Sequence, residues 1–155
     1  MATSAVPRAI DALLAILRAA PDLEGVDIID GPPVSDMSTR ELVAVGWQPE
    51  SFEGAAFVQD FASAGARNRD ENLTITGWVD TWNGDRDMQV VRLRVFALLG
   101  VIEDAIRASG SQPMAPTLNG TVQWAHLTSG VLQQANTEQG VRAGIAFTVS
   151  GHARI

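Results

Sequence analysis

The sequence predicts an α+β fold: a mixed, largely antiparallel sheet packed by two helices, one of them long and central. Three patterns lead there. From Val141 to Ile155 the chain alternates, with Val141, Ala143, Ile145, Phe147, Val149, Gly151, Ala153 and Ile155 on one side. A period of two marks a strand with one buried face. Met88, Val91, Val95, Leu98, Leu99, Ile102 and Ile106 recur at helical spacing instead. Near the start, Val6, Ile10, Leu13, Leu14 and Leu17 fall on one face of an amphipathic helix.

Taken in order, the first helix spans Ser4 to about Ala20. Ser4 is placed to cap it, Pro7 lies in the first turn, where its missing amide costs little, and Pro21 follows the end. Val26, Ile28 and Ile29 suggest a short strand that stops at Asp30-Gly31-Pro32-Pro33, a strong punctuation. Glu41 to Trp47 alternates as a second strand, ended by Pro49. Glu53 to Ala64 is compatible with an edge strand through Ala55, Phe57 and Phe61, and Gly65 to Glu71 reads as a polar turn. Leu73, Ile75, Gly77 and Val79 then alternate with Thr74, Thr76, Trp78 and Asp80, a composition rich in strand formers. These two segments read as a hairpin over residues 53–80, with an ordinary surface turn as the simpler reading of its tip and a projecting arm as the alternative.

Asn83 or Asp85 is placed to cap the long helix, which runs from about Asp85 to Ala108. At 1.5 Å per residue it is about 36 Å long. Val90, Leu93, Phe96 and Val101 widen its apolar face, leaving its margins available to another element or subunit. Ser109-Gly110 ends it, and Pro113 and Pro116 mark a linker. Thr121 to Thr128 is a further strand with Val122, Trp124 and His126 on one side; Val131 to Gln134 continues or restarts it. Asn136 to Gly140 turns into the final strand. At about 3.4 Å per residue that strand spans roughly 50 Å, so it either bends around its own domain or reaches a neighbour.

With 155 residues, 46% of them apolar, the chain is expected to fold as a single domain with a sizeable core. It has no cysteine, which excludes disulfides, thiolate nucleophiles and zinc–cysteine sites. Asp11 and Arg18 interrupt the first apolar positions, so neither a signal peptide nor a membrane-spanning helix is expected. The net charge is −7, with thirteen acids against five arginines in residues 1–80. That is a poor footprint for nucleic-acid binding, which needs concentrated positive charge. All eleven basic residues are arginine, whose planar fork suits interfaces.

Catalytic constellations do not assemble in the sequence. His126 and His152 both fall in strand patterns, without a metal-binding helical spacing, so hydrogen bonding or partial burial is the expected role. Asp27 and Asp30 are separated by an odd number and face opposite ways in a strand; Asp85 and Asp87 bracket a helix start, where acids are favoured. No serine elbow or Walker loop occurs, and the chain has no lysine. Trp47, Trp78, Trp82 and Trp124 read as core or interface anchors. The expectation is therefore an assembly subunit with no enzymatic activity, cofactor or metal. Acid-rich elements near Asp22 to Asp36 and arginines such as Arg67, Arg69, Arg92 and Arg94 are candidates to meet across subunits.

The order of elements resembles the tail terminator, or minor tail protein, family of tailed bacteriophages. The resemblance rests on the opening helix Val6 to Leu17, on Val26-Asp27-Ile28-Ile29-Asp30-Gly31-Pro32-Pro33, and on Leu73-Thr74-Ile75-Thr76-Gly77-Trp78. It continues through the long helix after Trp82 to Gly140-Val141-Arg142-Ala143-Gly144-Ile145-Ala146-Phe147-Thr148-Val149. Such a resemblance implies a ring, usually of six copies, at the head-proximal end of the virion tail and assembled in the host cytoplasm. The ring would stop tail-tube polymerisation and join the tube protein to the head connector, with DNA passing its lumen unrecognised. Candidate oligomer or tube contacts are then Arg67, Arg69, Arg92, Arg94, Gly144, Ser150, His152 and Arg154, with the loop around Gly65 to Glu71 a further one. Two alternatives stand beside it: a head–tail connector or tail-completion subunit, and a small ligand-binding domain or enzyme. The second would carry a closed pocket between helix and sheet where His126, His152 or an acidic pair converges.

Overall fold

The structure, a computed structural model, describes residues 2–34, 41–61, 67–84, 87–111, 115–138 and 140–155. It is the mixed α+β arrangement that the sequence predicts. Helix α1 spans Val6–Ala19 and helix α2 Met88–Arg107. The strands are β1 (Asp27–Asp30), β2 (Glu41–Val45), β3 (Ala55–Phe61), β4 (Arg69–Asn83), β5 (Trp124–Thr137) and β6 (Gly140–Arg154). They form one six-stranded sheet in the order β1-β2-β4-β6-β5, with β3 also paired to β4. Among these strands only β1 and β2 run parallel. Both β2 and β3 lie along the same side of β4, β2 beside residues 77–81 and β3 beside residues 69–75.

The final strand answers its own question of length. β6 is interior, paired with β4 from Asp70↔Arg154 to Asn83↔Val141 and with β5 from Trp124↔His152 to Thr137↔Gly140. Its length is used within its own sheet and does not overhang toward a neighbour. Even Ile155 exchanges backbone hydrogen bonds with Arg69, at 2.7 and 2.9 Å. The alternation is as predicted: Val141, Ala143, Ile145, Phe147, Val149, Gly151 and Ala153 are all buried.

Both helices cover that face. Ala9, Leu13 and Leu17 of α1 and Val91, Val95, Leu98, Ile102 and Ile106 of α2 join Val43, Val45, Leu73, Ile75, Val79, Ile145, Phe147 and Val149 in one core. A smaller cluster of Leu42, Ala44 and Trp78, with Ile29, Trp47 and Ala146 against it, lies on the other face of the sheet. There the connection 46–54 folds over the strands, and Gln48 Nε2 donates to the Phe147 carbonyl at 2.8 Å.

Several local expectations are corrected. Glu71 is not in a turn: Arg69 to Glu71 belong to β4, and Glu71 is completely buried. Its carboxylate accepts the Ala5 amide at 2.9 Å, so a strand supplies the acceptor at the start of α1. Ser4 serves this end only by accepting from Val6 N at 3.0 Å, and Ala5 holds the cap position. The cap of α2 is Asp87, whose side chain accepts from Gln89 N, and not Asn83; Asp85 lies outside the described residues. β2 stops at Val45, because Gly46 takes φ +79° and swings the chain out of the sheet. Val131 to Gln134 continues the preceding strand and does not restart it, but the start moves: β5 begins at Trp124 and not Thr121, passes a bulge between Leu127 and Ser129, and continues to Thr137. Val122 precedes it and enters the core, while Asn136 and Thr137 remain paired with Val141 and Gly140. The hairpin of residues 53–80 has its strands in the sheet, and residues 62–66 at its tip lie outside the described residues.

Candidate functional site

Helix α2 carries apolar side chains on two sides. Val91, Val95, Leu98, Ile102 and Ile106 point into the core, whereas Val90, Leu93 and Phe96 stay exposed at 47%, 63% and 50%. At 100° per residue Leu93 sits opposite the buried row. The widened apolar face legible in the sequence thus wraps around the helix, and its outer part has no partner within the chain among the described residues. A soluble helix normally turns a polar face outward, so this surface is a candidate interface.

The margins of α2 are fixed by two arginines nominated from the sequence. Arg94 grips Glu41 of β2 with Nε and Nη2 at 2.7 and 2.8 Å, and the Glu41 carboxylate holds its guanidinium still more firmly protonated than usual. On the opposite margin Arg92 donates to Gln134 of β5 at 3.0 Å. Arg69 donates to Gln59 at 2.9 Å, and Gln59 in turn contacts Glu71. Arg67 is exposed two residues before β4. These arginines occupy different parts of the molecule, and three of the four have partners inside it.

The remaining nominated residues lie along the open face of β6, where even-numbered positions point away from the helices. Gly144 lies under the Trp78 indole: a Cβ there would come within 2.2 Å of its ring. Ser150 pairs with the Thr128 hydroxyl at 2.7 Å. At the far end, Arg154 Nε donates to Asp70 at 2.9 Å and holds its carboxyl below the ordinary range, with His152 adding to the effect. His152 Nδ1 lies 3.0 Å from Asn72 Oδ1, and its Nε2 is 3.6 Å from Asp70.

β-pairing also does what residue spacing alone could not establish. Trp124 stands opposite His152 and two residues from His126, so its indole stacks with both imidazoles at centroid distances of 6.1 and 5.7 Å. Among the described residues, no three histidines or carboxylates gather as a metal-ligand set. Asp27 and Asp30 emerge on opposite faces, as their odd spacing requires: Asp27 pairs with Leu42 of the outer cluster and Asp30 with Val45 of the core.

Asp80 behaves differently from every other carboxylate on this face. It is completely buried, its Oδ2 accepts from the Trp78 indole at 3.1 Å and lies 3.8 Å from Arg142 Nε, and its Oδ1 has no hydrogen-bond partner among the described residues. Burial pushes its pKa up, against the opposing pull of Trp78 and Arg142. Its position in a regular alternation concealed this, since sequence does not show what covers an open-face residue.

His126 lines a small cleft of about 260 Å³ with Glu103, Ile106 and Arg107, and neither histidine lines two larger ones. One of about 480 Å³ opens between α1 and α2, lined by small residues such as Ala15, Ala19 and Ala108 with Asp22 and Asp104 at its rim. Another of about 510 Å³ lies beside the connection 46–54, between Pro32, Trp47 and Phe52. No helix among the described residues is long and apolar enough to cross a membrane. Compared with models of known protein families and with curated proteins, the chain finds no match in either.

Proposed function

We propose that the chain is a structural subunit of a phage tail, forming the ring that caps the tail tube, ends its polymerisation and meets the head connector. The observation that carries this reading is the second apolar side of α2. Val90, Leu93 and Phe96 are held outward on a helix anchored at both margins by Arg94–Glu41 and Arg92–Gln134. Such a surface is rigid before any partner arrives, so little ordering is lost on association. The order of elements resembles the terminator family, and the net charge of −7 suits a lumen through which DNA passes without being retained.

The test is mass measurement in solution together with electron microscopy of purified tail tubes. The expected result is a closed ring, of six copies, seated on one end of each tube. Leu93→Asp and Phe96→Asp should abolish the ring while leaving the fold intact, because both side chains are half-exposed or more. A chain that stays monomeric and neither caps tubes nor binds a connector overturns the reading. Binding to the portal side alone would assign the connector role instead.

A further inference from the structure

Among the described residues the sheet has two open edges on opposite sides, and they differ from its third. β5 is an edge strand of fourteen residues without a single Asp, Glu, Lys, Arg or Pro. Natural edges are blunted by such residues, by a bulge or by covering chain. Here the covering is local: the Pro116 carbonyl accepts from Ala125 N at 2.8 Å, and the bulge follows at Leu127/Ser129. Beyond it, Ser129 to Thr137 is exposed throughout, apart from half-buried Leu132. On the other side of the sheet, β3 presents seven residues of free edge with Phe57, Val58 and Phe61 exposed. β1, by contrast, has four residues, begins and ends in aspartate, runs into Pro32-Pro33, and has Arg18 reaching its Ile28 carbonyl.

We infer that neighbouring subunits join by continuing the sheet, the free edge of β5 in one copy pairing with the free edge of β3 in the next. This rests on the ring reading above and names the contact that closes the ring. Direction and face both agree. β3 and β5 are each one antiparallel step, on opposite sides, from the β4–β6 pair, so β3 runs antiparallel to β5. Within one copy Val58 is level with Trp124, and Val131 with Ile29 of β1, so the ring axis must be inclined to the strands: an offset of six residues along them, roughly 20 Å, sets β3 of the next copy beside Ser129 to Thr137 and carries its β1 to the end of β5. Side chains keep their faces in a continued sheet. Phe57 and Phe61, in register with Leu73 and Arg69, lie on the helix side and would meet the outer side of α2 at Phe96. Val58 lies on the open face, as does Val131 of β5, exposed at 65% and 62%. Apolar residues thus meet apolar residues on both faces. Because the two edges are different and lie on opposite sides, the contact is heterologous, the kind that generates rings.

The absence of cysteine makes the test direct. Val58→Cys and Val131→Cys full-length chains, treated singly, mixed and as the double variant with a short bis-maleimide, should cross-link only where one chain supplies each thiol. The double variant should give a ladder up to the full ring, and Val131→Lys should convert the ring to monomer with an unchanged circular-dichroism spectrum. Cross-linking of Val131→Cys to itself would mean two-fold β5–β5 pairing and overturn the inference. A ring that forms without either cross-link overturns it too, leaving the ring reading intact. A wild-type chain that stays monomeric, alone and on tubes, overturns both.

Discussion

On the helix-covered face of the sheet the Phe147 ring lies over Gly77; on the open face the Trp78 indole lies over Gly144. The device is the same, a glycine whose missing Cβ admits an aromatic from the adjacent strand. The surroundings are not. Phe147 is enclosed by strands below and helices above, within a continuous aliphatic core. Trp78 sits in a cluster of three buried residues, with Trp47 from the connection 46–54 against it and buried Asp80 bonded to its indole nitrogen. The covered face therefore supplies most of the stability. The open face holds polar groups in fixed positions and tolerates local adjustment.

Several substitutions would break or sharpen this contrast. The largest effect is expected from Phe147→Ala, which opens a cavity in the covered face and should destabilise by about 3–5 kcal/mol; a loss under 1 kcal/mol in urea unfolding would mean the enclosed core is not the main source of stability. Glu71→Ala removes the acceptor of the Ala5 amide at the start of α1 and should cost about 1–3 kcal/mol. Hydrogen exchange should show the first turn of α1 opening ahead of the sheet, and uniform acceleration across the chain would contradict that role.

The two glycines test the comparison most directly. Gly77→Ala places a Cβ 2.2 Å from the tip of an enclosed ring and should cost about 1–3 kcal/mol. Gly144→Ala makes an equally close approach to Trp78, but a ring with fewer layers above it can tilt, so the loss should be nearer 1 kcal/mol, with a shift in tryptophan fluorescence. Equal losses would show that the faces are packed alike.

The smallest effect concerns Asp80 and depends on pH. Its folded-state pKa lies above the ordinary carboxylate range, so its contribution favours the fold while it is protonated and is lost as pH rises through the raised value. Relative to Asp80→Asn, the wild-type chain should therefore lose stability as pH climbs from the ordinary carboxylate range. Parallel stability profiles for the two proteins would remove the case for a strained buried carboxylate.

Much of this architecture was legible one residue at a time. The alternation of Val141 to Ile155 marked β6 and its buried face, and the helical spacing of Met88 to Ile106 marked α2 together with the surplus apolar residues Val90, Leu93 and Phe96. Chain ends were less legible. Asp87 takes the cap in place of Asn83, and the run from Arg69 to Glu71 looks like a turn because polar side chains in sequence do not reveal the partners that bury them. The arginines nominated for a shared surface were dispersed for the same reason: Glu41, Gln59 and Gln134 stand far from them along the chain and beside them in space.

What the sequence by itself determined is therefore periodic: which segments are strands or helices, and which face each one buries, since those follow from local backbone geometry and the spacing of apolar groups. Tertiary structure alone decided everything that depends on neighbours across the sheet. It placed β6 in the interior and not at an overhang, stacked Trp124 with His126 and His152, seated Glu71 at a helix start, buried Asp80 on the open face, and left the edges of β3 and β5 open on opposite sides. Strand order and long-range pairing set those outcomes, and no local pattern encodes them.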